Sequence, residues 1–225
     1  MLKACLFDLD GTLLNTLISL RHFMNKTILS KGIAEISEDE TKAFVGWGAK
    51  TLVRNVLLSR GYEFDNENTN KLFEQIHEKF LLDYNSHPLY LTEPYTGICD
   101  AVSALTKKGI KLAVISNKPD PITKQLVESF FPDSFLVVDG ASEKFPLKPN
   151  PEWPLDVCKR LGVLPSEVAY VGDTAIDMQT AKNFGAGVSI GVLWGFRNET
   201  ELVASGADFV VSHPEEILNI IDKTN

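Results

Sequence analysis

The segment 2–14, LKACLFDLDGTLL, sets two carboxylates, Asp8 and Asp10, one residue apart at the end of an apolar run. Carboxylates that close repel unless a cation or a shared proton stabilises them, so the pair implies either a divalent metal or an acid with a raised pKa. Alone, Asp10-Gly11 also reads as a simple turn. A second acidic group comes much later, where Asp173 ends the run VAYV (168–171) and Asp177 falls in the first turn of the next helical stretch. By itself Asp173 reads equally well as a helix cap. Between the two groups lie Ser116-Asn117, a hydroxyl and an amide after the run KLAVIS, and Lys148, kept extended by the proline that follows it. Ser-Asn is common turn chemistry, and a lone loop lysine is ordinarily a solvated charge. Coincidence explains the combination poorly, because each member follows a separate apolar run or sits in a loop on the same side.

The elements that must position these groups follow from periodicity. Residues 2–7 are apolar without a helical period and close on Asp8, which reads as a buried strand with both aspartates at its carboxyl end. In open α/β sheets ligands bind at that edge, where helix amino termini and loop amides converge. Residues 15–90 read as helix throughout. Asn15-Thr16 can cap a helix on Leu17, Leu20, Met24 and Ile28 that stops at Gly32, and Ser37 with Glu40 forms a capping box for a shorter helix up to Gly46. A third helix runs from Ala49 to Gly61, and a fourth from Asn66 to Tyr84 along Leu72, Phe73, Ile76 and Phe80.

From Tyr95 helices and strands alternate, with strands expected at 111–116, 135–138, 168–171, 188–193 and 208–211, and helices at 98–109, 119–130, 151–161, 175–184 and 214–221. Short apolar strands with amphipathic crossovers predict an α/β fold, a doubly wound parallel sheet with a Rossmann-like core. That core takes residues 1–14 and 91–225, with a helical bundle at 15–90 inserted after the first strand.

Composition narrows the partners. The 225 residues carry Lys+Arg 22 against Asp+Glu 30, a net charge of -8, with no basic stripe on one expected face. Nucleic acid and anionic membrane are therefore poor partners. Cys5, Cys99 and Cys158 are odd in number and far apart, which predicts reduced core thiols and a cytoplasmic setting. His22, His77, His87 and His213 are scattered, and neither residue type has zinc spacing. No leader pattern opens the chain and no uncharged apolar run reaches the roughly eighteen residues of a membrane span.

With these motifs in place, the chain resembles the haloacid dehalogenase-like phosphohydrolases over nearly its whole length. DLDGTLL (8–14) looks like the family's first motif, Ser116-Asn117 its second, Lys148-Pro149 its third, and Gly172-Asp173 with Asp177 its fourth, all in the family's order. The helical insert is similar to the family's cap. The layout and Gly46-Trp47-Gly48 resemble the phosphoglycolate phosphatases in particular. One departure is Asn15, where relatives often carry an aspartate linked to the cap hinge.

The resemblance implies roles that physical chemistry supports. Phosphoester cleavage needs an in-line nucleophile and positive charge around the equatorial oxygens. Asp8 would be that nucleophile, forming an aspartyl phosphate. Asp10 would protonate the leaving alkoxide and then activate water, a task that requires a raised pKa. Mg²⁺ would be held by an Asp8 oxygen, the Asp10 backbone carbonyl and Asp173, with Asp177 orienting a metal-bound water. Ser116 and the Asn117 amide would grip the transferring oxygens, Lys148 would offset the charge, and backbone amides around Gly11 and Thr12 would complete the cradle.

The cap should choose the substrate, because the core recognises only the phosphoryl group. Gly48 sits in a loop whose backbone can approach a ligand, Lys50 could meet a substrate carboxylate, and Trp47 could exclude water; the plainer readings are a solvated lysine and a packed tryptophan. Gly48-Ala49-Lys50-Thr51 is not a phosphate loop, since it lacks a Gly-Lys-Thr triplet and follows no strand. The expected function is a Mg²⁺-dependent phosphatase acting on a small phosphorylated metabolite, with phosphoglycolate in the first rank, as a monomer or weak homodimer. Competing readings are a sugar-phosphate mutase of the β-phosphoglucomutase type, phosphonate cleavage through a cap lysine, and a phospho-receiver switch. The switch would place its acceptor aspartate after a later strand. A dinucleotide site would need Gly-x-Gly-x-x-Gly after the first strand, which is absent.

Overall fold

The computed structural model describes residues 1–224. Strand β1 (Ala4–Phe7) is apolar and buried throughout, and a two-residue strand β2 (Leu14–Asn15) follows it. Four helices come next, α1 (Leu17–Leu29), α2 (Glu38–Phe44), α3 (Ala49–Ser59) and α4 (Glu67–Asn85). The chain continues through β3 (Glu93–Pro94), α5 (Ile98–Lys107), β4 (Lys111–Pro119), α6 (Asp120–Phe130), β5 (Val137–Ala141) and α7 (Glu152–Leu161). It ends with β6 (Val168–Gly172), α8 (Ala175–Phe184), β7 (Val188–Val192), α9 (Glu199–Ala204), β8 (Phe209–Val211) and α10 (Glu215–Thr224). Two compact units result: Met1–Asn15 with the chain from Glu93 onward, and Thr16–Thr92.

The helical unit is closed by the residues its periodicity singles out. Met24, Ile28, Val53, Val56, Leu57, Ile76 and Phe80 are almost wholly buried, as apolar stripes at helical spacing require. Ser37 and Glu40 form the reciprocal capping box of α2, and Arg60 grips Glu40, which together with the Ser37 N–H holds that carboxyl down at about 2. Asn66 caps α4 by accepting from the Thr69 N–H at 2.9 Å. Thr16 does occupy the N-cap position of α1, but its hydroxyl is buried and caps no helix N–H.

In the α/β unit the sheet has the order β5-β4-β1-β6-β7-β8, and every pair is parallel. The doubly wound class read from the alternation is therefore the class observed. Because side chains alternate along a strand, Cys5 and Phe7 join one core with α5, α6 and α10, while Ala4 and Leu6 join another with α7 and α8. β1 is central, between β4 and β6, which brings the carboxyl ends of three motif-bearing strands side by side.

Local differences from the sequence reading have identifiable causes. β4 runs past Ser116 to Pro119, and its register with β5 shifts between those two residues, so Asn117 and Lys118 sit in a bulge that re-aims their side chains. The next strand begins at Val137, not Phe135, whose ring packs on the core instead. α9 was not expected; its six residues are too few to show a period, although Asn198 caps it through the Glu201 N–H. All three thiols are free, but only Cys5 and Cys158 are buried, so Cys99 is not a core thiol. Among the described residues no helix is long and apolar enough to cross a membrane. Leu6 is fully buried at the centre of the sheet; Leu6→Ala is expected to lower the unfolding free energy by about 2–5 kcal/mol, read as a shifted urea midpoint at unchanged slope.

Candidate active site

Asp8 is the first residue beyond β1, and its N–H donates to the Val171 carbonyl of β6 at 3.0 Å, which fixes the carboxylate at the sheet edge. Lys148 reaches it from the loop before α7: its Nζ stands 2.8 Å from Asp8 Oδ1 and 2.8 Å from Asp177 Oδ1. The ammonium is almost completely buried. Its loop is gripped by Asn117, whose Oδ1 accepts from the Lys148 N–H at 3.0 Å and whose Nδ2 donates to the Lys148 carbonyl at 3.5 Å. The Asn117 side chain is thus spent on positioning the lysine. Ser116 Oγ accepts from the Lys118 N–H at 3.3 Å, and its hydroxyl proton remains available to a ligand.

Asp173 and Asp177 follow β6. Thr12 donates its hydroxyl to Asp173 Oδ1 at 3.0 Å, and the Phe196 N–H donates to Oδ2 at 2.8 Å. Asp177 Oδ2 accepts from both the N–H and the hydroxyl of Thr174, at 3.1 and 2.7 Å, while Oδ1 faces Lys148. Asp177 therefore meets protein donors at both oxygens, an arrangement that suits holding the lysine. Gly172 is required beside it, since a Cβ there would lie 2.2 Å from Asp177 Cβ. Asp8, Asp173 and Asp177 offer carboxylate oxygens all within 4.8 Å of one another. Asp8, Thr12, Asn117, Lys148, Asp173 and Asp177 are linked by these contacts, with Ser116 at the end of the neighbouring strand and Asp10 two residues beyond Asp8.

Trp47, Gly48 and Lys50 lie in the helical unit. Trp47 is exposed in the loop between α2 and α3, Gly48 stands at the N-cap of α3 with φ +84°, and Lys50 is exposed in its first turn.

Comparison with known proteins agrees with this geometry. Residues 5–190 match the haloacid dehalogenase-like hydrolase family. The chain belongs to that family. It is 30% identical over 225 residues to a phosphoglycolate phosphatase of Aquifex aeolicus, covering 98% of this chain and 97% of that protein. It is likewise 30% identical over 227 residues to an N-acetylmuramic acid 6-phosphate phosphatase of Pseudomonas aeruginosa, covering 99% and 96%. A solved structure from Lactobacillus delbrueckii subsp. bulgaricus, provisionally named a phosphoglycolate phosphatase, superposes with a TM-score of 0.90 at 33% identity, covering 97% of this chain and 98% of that one. The enzyme class that goes with this membership of the haloacid dehalogenase-like hydrolases is phosphoric monoester hydrolase.

The electrostatics of this hydrolase site call for a cation. Three buried carboxyls share one buried ammonium, so their full ionisation without a cation would leave two negative charges uncompensated. Burial pushes the Asp8 carboxyl up to about 7, with Asp177 and Asp10 adding to the rise and Lys148 opposing it. Burial also raises Asp173 well above the ordinary carboxylate range, helped by Asp177 and Asp8. Burial alone would lower Lys148, yet Asp177 and Asp8 together hold it well above its usual value. A divalent ion fits the charge excess and the all-oxygen donor set.

Several site residues escaped the sequence reading. Lys118, almost fully buried, donates to both oxygens of Asp10 at 3.1 Å. Its position directly after Ser116-Asn117 was the available signal, but a bulge cannot be read from a short apolar run. Tyr95 has its phenol pushed up by burial and by Asp173 and Asp10. The loop 193–197 contacts Asp173 through Phe196, and only its place after a strand marks it in sequence.

The raised Asp8 value has a sign that can be tested in metal-free protein. Unfolded aspartate titrates near ~4, so between there and about 7 the folded state binds more protons and stability falls as pH rises. The raised Asp173 carboxyl adds to this slope, the lowered Glu40 carboxyl acts below the window and the raised Lys148 above it, while the lowered His77 opposes the slope within it. Urea unfolding in EDTA at pH 5 and pH 8 should therefore show Asp8→Asn gaining stability relative to wild type at the higher pH; equal differences at both would contradict the burial argument.

Proposed function

We propose that the protein is a Mg²⁺-dependent phosphomonoesterase that cleaves a small phosphorylated metabolite of the cytoplasm through an aspartyl phosphate on Asp8. The observation that carries the reading is the buried lysine bridging Asp8 and Asp177 at 2.8 Å each, beside a third carboxylate.

Asp8 Oδ attacks phosphorus in line with the ester oxygen, the P–O bond to the alcohol breaks, and Asp10 gives its proton to the departing alkoxide. Asp10, now a base, takes a proton from water, whose oxygen attacks phosphorus and frees both phosphate and the Asp8 carboxylate. Lys148 and the Ser116 hydroxyl face the charge that spreads over the transferring oxygens. Asn117 and Asp177 hold the lysine in register for that task. Asp8 and Asp173, with the Asp10 carbonyl, would hold Mg²⁺, which supplies positive charge against the crowded carboxylates and the phosphoryl dianion.

For the substrate, two named relatives act on molecules that pair a phosphate ester with a carboxylic acid, phosphoglycolate and N-acetylmuramic acid 6-phosphate. We infer a carboxylate-bearing phosphomonoester here too, with phosphoglycolate first in rank.

Phosphate release from p-nitrophenyl phosphate with Mg²⁺ is expected, abolished by EDTA and by Asp8→Asn. A stable phosphoprotein that never turns over would favour a receiver switch instead, and bisphosphate-dependent isomerisation a mutase. Asp10→Asn should cut turnover by about a hundredfold or more while calorimetric Mg²⁺ binding stays largely intact; unchanged turnover would remove Asp10 from the chemistry.

A further inference from the structure

We propose that the loop 193–197, between β7 and α9, is a positioning element of the cation site, with Trp194 as its anchor. The inference rests on Asp173 being a cation ligand. Asp173 is fully buried, and each of its oxygens meets one protein donor, the Thr12 hydroxyl at 3.0 Å and the Phe196 N–H at 2.8 Å. These two donors come from different strand ends, yet they form one assembly: the Trp194 indole N–H donates to the Thr12 carbonyl at 3.0 Å. Trp194 therefore ties the loop after β7 to the loop after β1, and both ties end on the same carboxylate.

The backbone fit is as tight as the hydrogen bonding. A Cβ on Gly195 would stand 2.3 Å from Asp173 Cβ and 2.4 Å from the Gly11 carbonyl oxygen. One on Gly11, whose φ is +87°, would stand 2.2 Å from Asp173 Oδ2. Two glycine backbones close on the carboxylate from either side, where no side chain fits. The orientation of Asp173 is consequently set by main chain from two strands and is not left to its own rotamer. A cation demands ligand oxygens at fixed separations, and a ligand held in this way is preorganised for it. Trp194 acts through Thr12 and Asp173, so it is a positioning residue.

The test is calorimetric titration of Mg²⁺ into EDTA-stripped, full-length protein without substrate. Trp194→Phe keeps the ring and removes the N–H; its Mg²⁺ affinity should fall about tenfold to a hundredfold. At saturating Mg²⁺ its KM for p-nitrophenyl phosphate should stay within about twofold of wild type, with kcat recovering as Mg²⁺ is raised. Thr12→Val, which deletes the last link of the same chain without touching the indole, should weaken Mg²⁺ to a similar degree, and Gly195→Ala should weaken it further by displacing Asp173. Circular dichroism and the unfolding midpoint in EDTA identify variants that fold. Wild-type Mg²⁺ affinity in folded Trp194→Phe and Thr12→Val overturns the proposal. A wild type that binds no Mg²⁺ overturns the functional reading beneath it.

Discussion

One buried ammonium, that of Lys148, stands among three carboxylates at the edge of the sheet, and much of the molecule is arranged to keep it there. A buried carboxylate is tolerable only when paired, and Asp8 and Asp177 share this single partner at 2.8 Å each. The loop bearing the lysine is fastened to β4 by Asn117, and Asp177 is fastened to the start of α8 by Thr174. Three segments far apart in sequence are thereby locked by one electrostatic requirement. Its incompleteness matters equally, since three carboxyls gathered around one ammonium form a group that could hold a metal ion.

Strand order converts that requirement into geometry. With β1 flanked by β4 and β6, the residues following these strands are neighbours without any long loop having to reach across the sheet. The bulge at the end of β4 then turns consecutive residues to separate tasks, Asn117 toward the lysine loop and Lys118 toward Asp10. Three glycines, Gly11, Gly172 and Gly195, let backbone approach the carboxylates more closely than any other residue permits. Rigid scaffolding at the strand ends and crowded charge in their midst are two aspects of the same construction.

Much of this was legible in the sequence because the signals were local. The strand-then-acid patterns at Asp8 and Asp173, the capping box of Ser37 and Glu40, and the apolar stripes of the helices all report on neighbours a few residues away. The less legible features depend on distant partners. Lys118 is buried against Asp10 only through the bulge, and Trp194 gains its meaning from a carbonyl 182 residues earlier. The resemblance gives the Asn117 amide a grip on the transferring oxygens, and the structure adds a bond from its side chain to the backbone of Lys148 that residue type alone does not announce. Residue type indicated which chemistry was present; only the pairing of strands decided which group served which.

The short antiparallel contact of β2 with β3 matches Leu14 to Pro94 and Asn15 to Glu93, so the polypeptide departs from the sheet-bearing unit and rejoins it at adjoining points, about 5 Å apart. An excursion whose two ends are stitched together in this way leaves the strand order indifferent to its contents. Residues 16–92 can accordingly be shortened, lengthened or exchanged for a graft of another shape without a break in the hydrogen-bonded ladder of the sheet. The helical unit and the strand-end site are thus free to diversify on separate evolutionary clocks.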